Sequence, residues 1–419
     1  MIGKWGSILA WLFLILIFII PPAAGGERVV ERDACLLCHS GKSVPGRGED
    51  KVGGPPVSVE SLEDSVHRGA RCTSCHLDAR KEGHVSPLAR VECGACHGEE
   101  EKNYKNSLHG IDAGKGEKDV PRCTTCHGDH HILGVKDPRS RTFSLRIVRI
   151  CIKCHEDRKV EKKYHLPEAE FYKSFEESVH GRANKAGMNV SAVCPDCHGN
   201  HAILPADRPE SRVNKLKIPG ACGKCHPGIE NIYEESVHGR GLRGGILDSP
   251  VCTDCHGEHT IAKITDPDSK VYVKNIPRTC GSCHESEAIS SRYAIPKKRF
   301  STYEDSFHGI ALSFGMTTVA NCASCHGFHL VLPSSDKRSP VNKSNIPRTC
   351  GKCHPKASNN YARGSIHAQV SREGNRGAWF VRLFYTGFIG ILLFLFILHI
   401  GMDLKERGRK REEQGEKRE

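Results

Sequence analysis

The sequence predicts a mainly α-helical fold with extensive irregular loops, assembled from tandem repeats and followed by one transmembrane helix near the C-terminus. Three observations predict it. The pattern Cys-x-x-Cys-His occurs eleven times in 419 residues and uses all 22 cysteines. The histidines outside that pattern recur in the same register at an interval of 128 or 129 residues. Residues 383–402 form a run of twenty without a formally charged side chain.

At the N-terminus, Lys4 precedes an apolar run over 5–20 and then Pro21-Pro22-Ala23-Ala24-Gly25. A charged start, a short apolar stretch and small residues are the layout of a secretory signal, assigned to 1–24, with an uncleaved anchor as the competing view. Either one exports the cysteines.

The motifs are Cys35, Cys38 and His39; Cys72, Cys75 and His76; Cys93, Cys96 and His97; Cys123, Cys126 and His127; Cys151, Cys154 and His155; Cys194, Cys197 and His198. They continue with Cys222, Cys225 and His226; Cys252, Cys255 and His256; Cys280, Cys283 and His284; Cys322, Cys325 and His326; Cys350, Cys353 and His354. This spacing is the c-type haem attachment signal. Two thiols on one helical turn reach both vinyl groups of a porphyrin, and the next imidazole points at the iron from the same side. Structural zinc consumes Cys-x-x-Cys in pairs and does not require the following histidine. Eleven is odd and every motif ends in His, so the expectation is eleven haem c groups and their iron.

Motif histidines 127, 155, 198 and 226 recur as 256, 284, 326 and 354, so a four-haem block is duplicated. Internal repeats of this kind mean stacked modules. The expected organisation is a three-haem segment over 25–102, a four-haem module over 103–231, its copy over 232–360 and a linker over 361–378. A transmembrane helix over 379–404 and a charged cytoplasmic tail over 405–419 complete it. The finer unit is Ser-x-His-Gly, then Cys-x-x-Cys-His-Gly-x-His, then a second Cys-x-x-Cys-His. Four such units, a looser copy before them with His67, His76, His84 and His97, a leading haem at His39 and a trailing His367 give eleven further histidines as second axial ligands: His67, His84, His109, His130, His180, His201, His238, His259, His308, His329 and His367. A histidine three residues after the proximal one lies on the same side of that porphyrin, so His130, His201, His259 and His329 are expected to serve neighbouring haems.

His165 aligns with Ala294 and His131 with Thr260, and both are read as surface residues. Met188 and Met316 correspond to each other; Met is a known axial ligand, but with enough histidines present they are expected to pack against porphyrin edges. Helices are expected over 171–180, 230–238 and 302–308, with turns at Asp137-Pro138, Asp266-Pro267 and Ile346-Pro347. The exported part has about 32 residues per haem and few aromatics, so porphyrins must supply the apolar surface that a conventional core would.

Residues 383–402 span about 30 Å as a helix, enough to cross a bilayer. Trp379 and Tyr385 lie toward its entry, and Lys405, Arg407, Arg409, Lys410 and Arg411 follow it. The positive-inside rule then keeps the tail cytoplasmic, making this a single-pass protein of the cytoplasmic membrane with its haem domain in the periplasm or cell exterior. Setting aside Lys4 and the tail from 403, which holds seven basic and six acidic residues, leaves +10 of the formal +12. Haem propionates offset that excess, and no nucleic-acid motif is present, so no nucleic-acid partner is expected.

The motifs resemble the multihaem c-type cytochromes of respiring bacteria and archaea over residues 33–367, and the repeat is similar to that of periplasmic electron conduits. The resemblance implies bis-His low-spin haems, close packing and electron transfer without substrate chemistry at iron. The segment Leu398-His399-Ile400-Gly401-Met402-Asp403-Leu404 resembles the membrane part of quinone-linked cytochrome subunits. His399 is either near the headgroups without a role or a contact to haem b or quinone that needs a partner subunit. The expected function is electron transfer between the membrane quinone pool, through a cytochrome b-type or other quinone-linked subunit, and periplasmic or outer-membrane redox proteins. The alternative is a terminal reductase of nitrite or sulfur oxyanions with one open haem; no motif ends in Lys and the histidine count leaves no obligatory vacancy.

Overall fold

A computed structural model describes residues 34–36, 39–40, 57–80, 88–166, 170–362 and 366–416. The signal expected over 1–24, Cys38 and His84 lie outside the described residues. Within them the chain is helices, turns and irregular loops, with no strand. Helices run from the four residues of Cys72–Cys75 to the twelve of Ser144–His155, apart from the C-terminal one. The backbone divides into two compact units, Met1–Tyr172 with His180–Arg212, and Lys173–Val179 with Val213–Glu419.

Each of the three helices expected before Ser-x-His is in fact two. The breaks fall at the serine, between Glu170–Glu177 and Val179–Lys185, between Pro227–Glu235 and Val237–Arg243, and between Arg299–Glu304 and Phe307–Ser313. Ser236 shows the cause. Its hydroxyl donates to Tyr233 O at 2.6 Å and accepts from Gly239 N at 3.0 Å, ending one helix and capping the next. Short hydroxyl side chains compete for backbone groups in this way and favour helix starts. Ser107 and Ser306 make the same two bonds.

In the second unit, Tyr233 and Tyr303 then donate to Pro250 O at 2.9 Å and Ala320 O at 3.0 Å, two residues before a motif cysteine. Tyr104 does so to Pro121 O at 2.8 Å in the first unit. In these three places the helix before the capping serine is thereby tied to the start of the following motif helix.

One backbone hydrogen bond joins each repeat to the next. The residue after the buried serine donates to the carbonyl two residues beyond the Gly-x-His histidine of the next repeat. In the first unit these bonds are Val66 N to Ile132 O at 2.8 Å and Leu108 N to Ile203 O at 3.0 Å. In the second they are Val179 N to Ile261 O and Val237 N to Val331 O, both at 2.8 Å. Ion pairs flank two of these joints: Arg139 with Asp64 at 2.7 Å, and Arg338 with Glu235 at 2.8 Å.

The largest fully buried side chains are serines: Ser65, Ser107, Ser211, Ser236, Ser269 and Ser339. Ser211 and Ser339 each donate to a leucine carbonyl, Leu204 O and Leu332 O, both at 3.1 Å. Protein interiors ordinarily bury Leu, Ile and Phe first. Here polar caps hold the loops, and buried aliphatic residues such as Val193, Leu242, Val251 and Leu332 lie beside the motifs and caps.

The last helix, Arg376–Glu416, has 41 residues, about 60 Å of rise. Its apolar side chains, from Phe380 to Leu404, are exposed, and it is long and apolar enough to cross a membrane once. The charged end stays helical, with Arg407 paired to Asp403 at 2.9 Å and Lys410 to Glu406 at 2.7 Å.

Candidate functional site

The first motif of each later repeat is a five-residue helix: Cys123–His127, Cys194–His198, Cys252–His256 and Cys322–His326. Cysteines three apart share one face of such a turn. The following glycine takes φ of +87°, +86°, +86° and +79° at Gly128, Gly199, Gly257 and Gly327. L side chains rarely enter that region. The turn sends the Gly-x-His histidine away from its own motif. The second motifs have no such turn: those at His155 and His284 end longer helices, Ser144–His155 and Ile276–His284. The described cysteines form no disulfide.

Motif histidines face histidines from outside the motifs, ring to ring. The Ser-x-His residues make one set: His67 with His97 at 6.0 Å, His109 with His155 at 6.3 Å, His238 with His284 at 6.3 Å, and His308 with His354 at 6.2 Å between centroids. The Gly-x-His residues make another, each across from the motif of the preceding repeat. His130 faces His76 at 6.1 Å, His201 faces His127 at 6.0 Å, and His329 faces His256 at 6.0 Å. The trailing His367 faces His326 at 6.3 Å.

That spacing fits one metal ion between each pair. Two metal–nitrogen bonds of about 2 Å, with about 1 Å from nitrogen to ring centre on either side, place the centroids about 6 Å apart. A bare zinc site needs three or four protein ligands, and no group of three or more His, Cys, Asp or Glu among the described residues is placed to hold a metal. Two imidazoles and a nearby pair of thiols match a haem c, whose porphyrin supplies the other four nitrogens.

Burial favours the neutral imidazole, the form that binds metal, at several of these histidines. It holds His155 and His238 down to about 4, helped by the facing histidine, and lowers His109, His127, His256, His284 and His326 as well. Thr302 orients one ring: its hydroxyl donates to Lys298 O at 2.6 Å and lies 3.1 Å from His367 Nδ1, leaving Nε2 for the metal. The buried Tyr172 stands edge-on to His155 at 5.5 Å, and Tyr361 is 5.9 Å from His354. Sequence reasoning missed these two tyrosines and Thr302, although Tyr361 stands seven residues after its motif histidine, as Tyr104 and Tyr233 do after His97 and His226.

First cysteines of successive motifs also meet. Cys93 contacts Cys123 and Cys151 hydrogen-bonds with Cys194 in the first unit; Cys222 with Cys252 and Cys280 with Cys322 do so in the second. The partner thiol and burial together push Cys151, Cys222 and Cys280 up. Haems attached at these cysteines would have neighbouring attachment points.

Other expectations fall as follows. His131 Nε2 is 3.0 Å from Asp64 Oδ2 at the surface. His165 is exposed and ends its helix in a left-handed conformation at φ 51°, as Ala294 does in the second unit at φ 52°. Met188 and Met316 are half exposed, and His399 lies on the exposed C-terminal helix. His39, His180, His198, His226 and His259 are each engaged with another group.

No family model matches the chain, and no solved structure does. Among curated proteins, 215 residues are 26% identical to the multiheme cytochrome MtrA of Shewanella baltica (strain OS185). The chain is similar to a multiheme cytochrome. The match covers 48% of this chain and 55% of that protein, so it spans about half the length of this curated relative. A distant multiheme cytochrome relative, together with cysteines paired at haem c spacing, supports haem c as the cofactor and electron transfer as the general role.

Proposed function

We propose that the chain is an undecahaem cytochrome c, anchored by its C-terminal helix in the cytoplasmic membrane with the haem part in the periplasm. It exchanges electrons between the quinone pool, through a cytochrome b-type partner subunit, and periplasmic or outer-membrane redox proteins. The observation that carries this reading is the facing of motif and non-motif histidines at 6.0–6.3 Å. His39, His198 and His226, with His84, His180 and His259, complete the count at eleven of each kind.

Haem iron supplies one-electron exchange between its ferric and ferrous states. The chain's residues do the rest. Each cysteine pair would hold one haem, each facing pair of imidazoles would ligate its iron, and the contacts between first cysteines would bring neighbouring attachment sites together. That set of roles is conduction, so no catalytic residue is assigned.

Haem quantification and EPR of the purified full-length protein test the reading. Eleven haems per chain, all low-spin, are expected, together with quinol-dependent haem reduction in membranes holding the intact complex. Markedly fewer haems, or a high-spin haem that binds nitrite or sulfite in the unaltered protein, would overturn it. His84→Ala is expected to create one high-spin haem and His165→Ala none.

A further inference from the structure

The facing imidazoles fall into two geometric classes that alternate along the chain. Where the partner is a Ser-x-His residue, the ring planes cross steeply: 68° at His97, 67° at His155, 62° at His284 and 50° at His354. Where it is a Gly-x-His residue or His367, they lie nearly parallel: 32° at His76, 29° at His127, 27° at His256 and 33° at His326. The two sets do not overlap, and each recurs in both units. Each also has its own backbone support. Three of the crossed class, His109, His238 and His308, sit on the first turn of a helix capped by a serine, while the three Gly-x-His members each follow a left-handed glycine turn.

Axial ligand geometry is one of the levers by which protein tunes haem. Each imidazole π system raises the iron dπ orbital that it overlaps. Parallel rings raise the same orbital and split the dπ pair, and the ferric hole settles in the upper one, which stabilises the oxidised state. Crossed rings raise both orbitals alike. The pair then stays nearly degenerate, the ferric state loses that stabilisation, and the orbital angular momentum is left unquenched.

Resting on the haem reading above, we propose that the chain carries two electronic classes of haem in alternation. The crossed class at His97, His155, His284 and His354 has the higher potential, and the parallel class at His76, His127, His256 and His326 the lower. The cysteine contacts give the alternation a role. Cys93 of the His97 motif meets Cys123 of the His127 motif, and Cys280 of the His284 motif meets Cys322 of the His326 motif. In each case a crossed haem adjoins a parallel one, so an electron moving along the repeats passes from one class to the other. The smaller angle at His354, whose ring Tyr361 also approaches at 5.9 Å, marks that haem as the least extreme of its class.

EPR of the fully oxidised, full-length protein, recorded with a redox titration, tests this. Two low-spin populations of comparable integrated intensity are expected: one strongly anisotropic with a single very large g value, and one rhombic with three resolved g values. On reduction the anisotropic signal is expected to disappear first. His238→Ala should remove intensity from the anisotropic signal and His329→Ala from the rhombic one. Thr302→Val, which frees the His367 ring without removing a ligand, should shift part of the rhombic signal and leave the haem count unchanged. A single population in the unaltered protein, loss of both signals over the same potential range, or depletion of the same signal by both histidine variants would overturn the proposal. A low haem count would instead overturn the haem reading itself.

Discussion

At Gly327 the backbone takes φ +79° and ψ 179°, and a Cβ there would lie 3.2 Å from Leu330 O. Only glycine adopts this conformation without strain, and His329, which faces His256, follows directly. Gly327→Ala is expected to cost about 1–3 kcal/mol in denaturant unfolding. The strain should also loosen His329, giving a high-spin fraction in the optical spectrum of the oxidised protein. The sequence shows the Gly-x-His pattern plainly but not the turn within it; the left-handed conformation is a property of the backbone path. Which histidines face each other is likewise decided by that path. Three Ser-x-His pairs share a spacing of 46 residues, but His67 and His97 are 30 apart and His127 and His201 are 74, so one spacing does not mark every pair.

Among the elements, the duplicated helix after the second motif carries a matched polar latch. In the second unit Tyr293 donates to Asp248 at 2.7 Å and Arg292 pairs with it at 2.7 Å; Tyr164 and Lys163 hold Asp119 equivalently in the first. Tyr293 and Arg292 keep the Asp248 carboxyl below the usual carboxylate range. A carboxylate with a lowered folded-state pKa stabilises the fold above its unfolded value, and that contribution is lost as pH falls through the folded value. Asp248→Asn is therefore expected to lower the unfolding temperature at neutral pH, with the difference vanishing in strong acid, as calorimetry at several pH values would show. The register of 128–129 residues makes this latch visible as aligned pairs, Lys163 with Arg292 and Tyr164 with Tyr293. The helix breaks at Ser178, Ser236 and Ser306 were less legible, because the acidic run before each serine reads as uninterrupted helix until the hydroxyl is seen donating to the carbonyl three residues back.

The repeat joints are not equally supported. Arg139 meets Asp64 and Arg338 meets Glu235, but at the corresponding place in the joint of Val179 with Ile261 stand two acids, Glu177 and Asp268, both exposed. Asp268→Arg is expected to raise the unfolding temperature slightly, an effect that high salt abolishes.

For the whole molecule, the fold class was readable because the motif count, the repeat register and the uncharged segment are each long-range patterns that a single sequence displays. The polar interior was not, since Ser65, Ser211 and Ser339 look like ordinary loop residues until their burial is known. The C-terminal helix presents exposed apolar side chains along its span and contributes no histidine to the pairs described. Deleting 376–419 is expected to move the protein from the membrane fraction to the soluble fraction with its haem content intact, as fractionation and mass spectrometry would reveal.

Every junction shares one amide, of the residue behind a buried serine, bonded to one carbonyl downstream, and neither group depends on which side chain its residue bears. Val66, Leu108, Val179 and Val237 all donate this bond. Copying or removing a whole repeat would leave the same donor opposite the same acceptor. A lineage carrying this chain can therefore change the number of redox stations without first inventing a new interface.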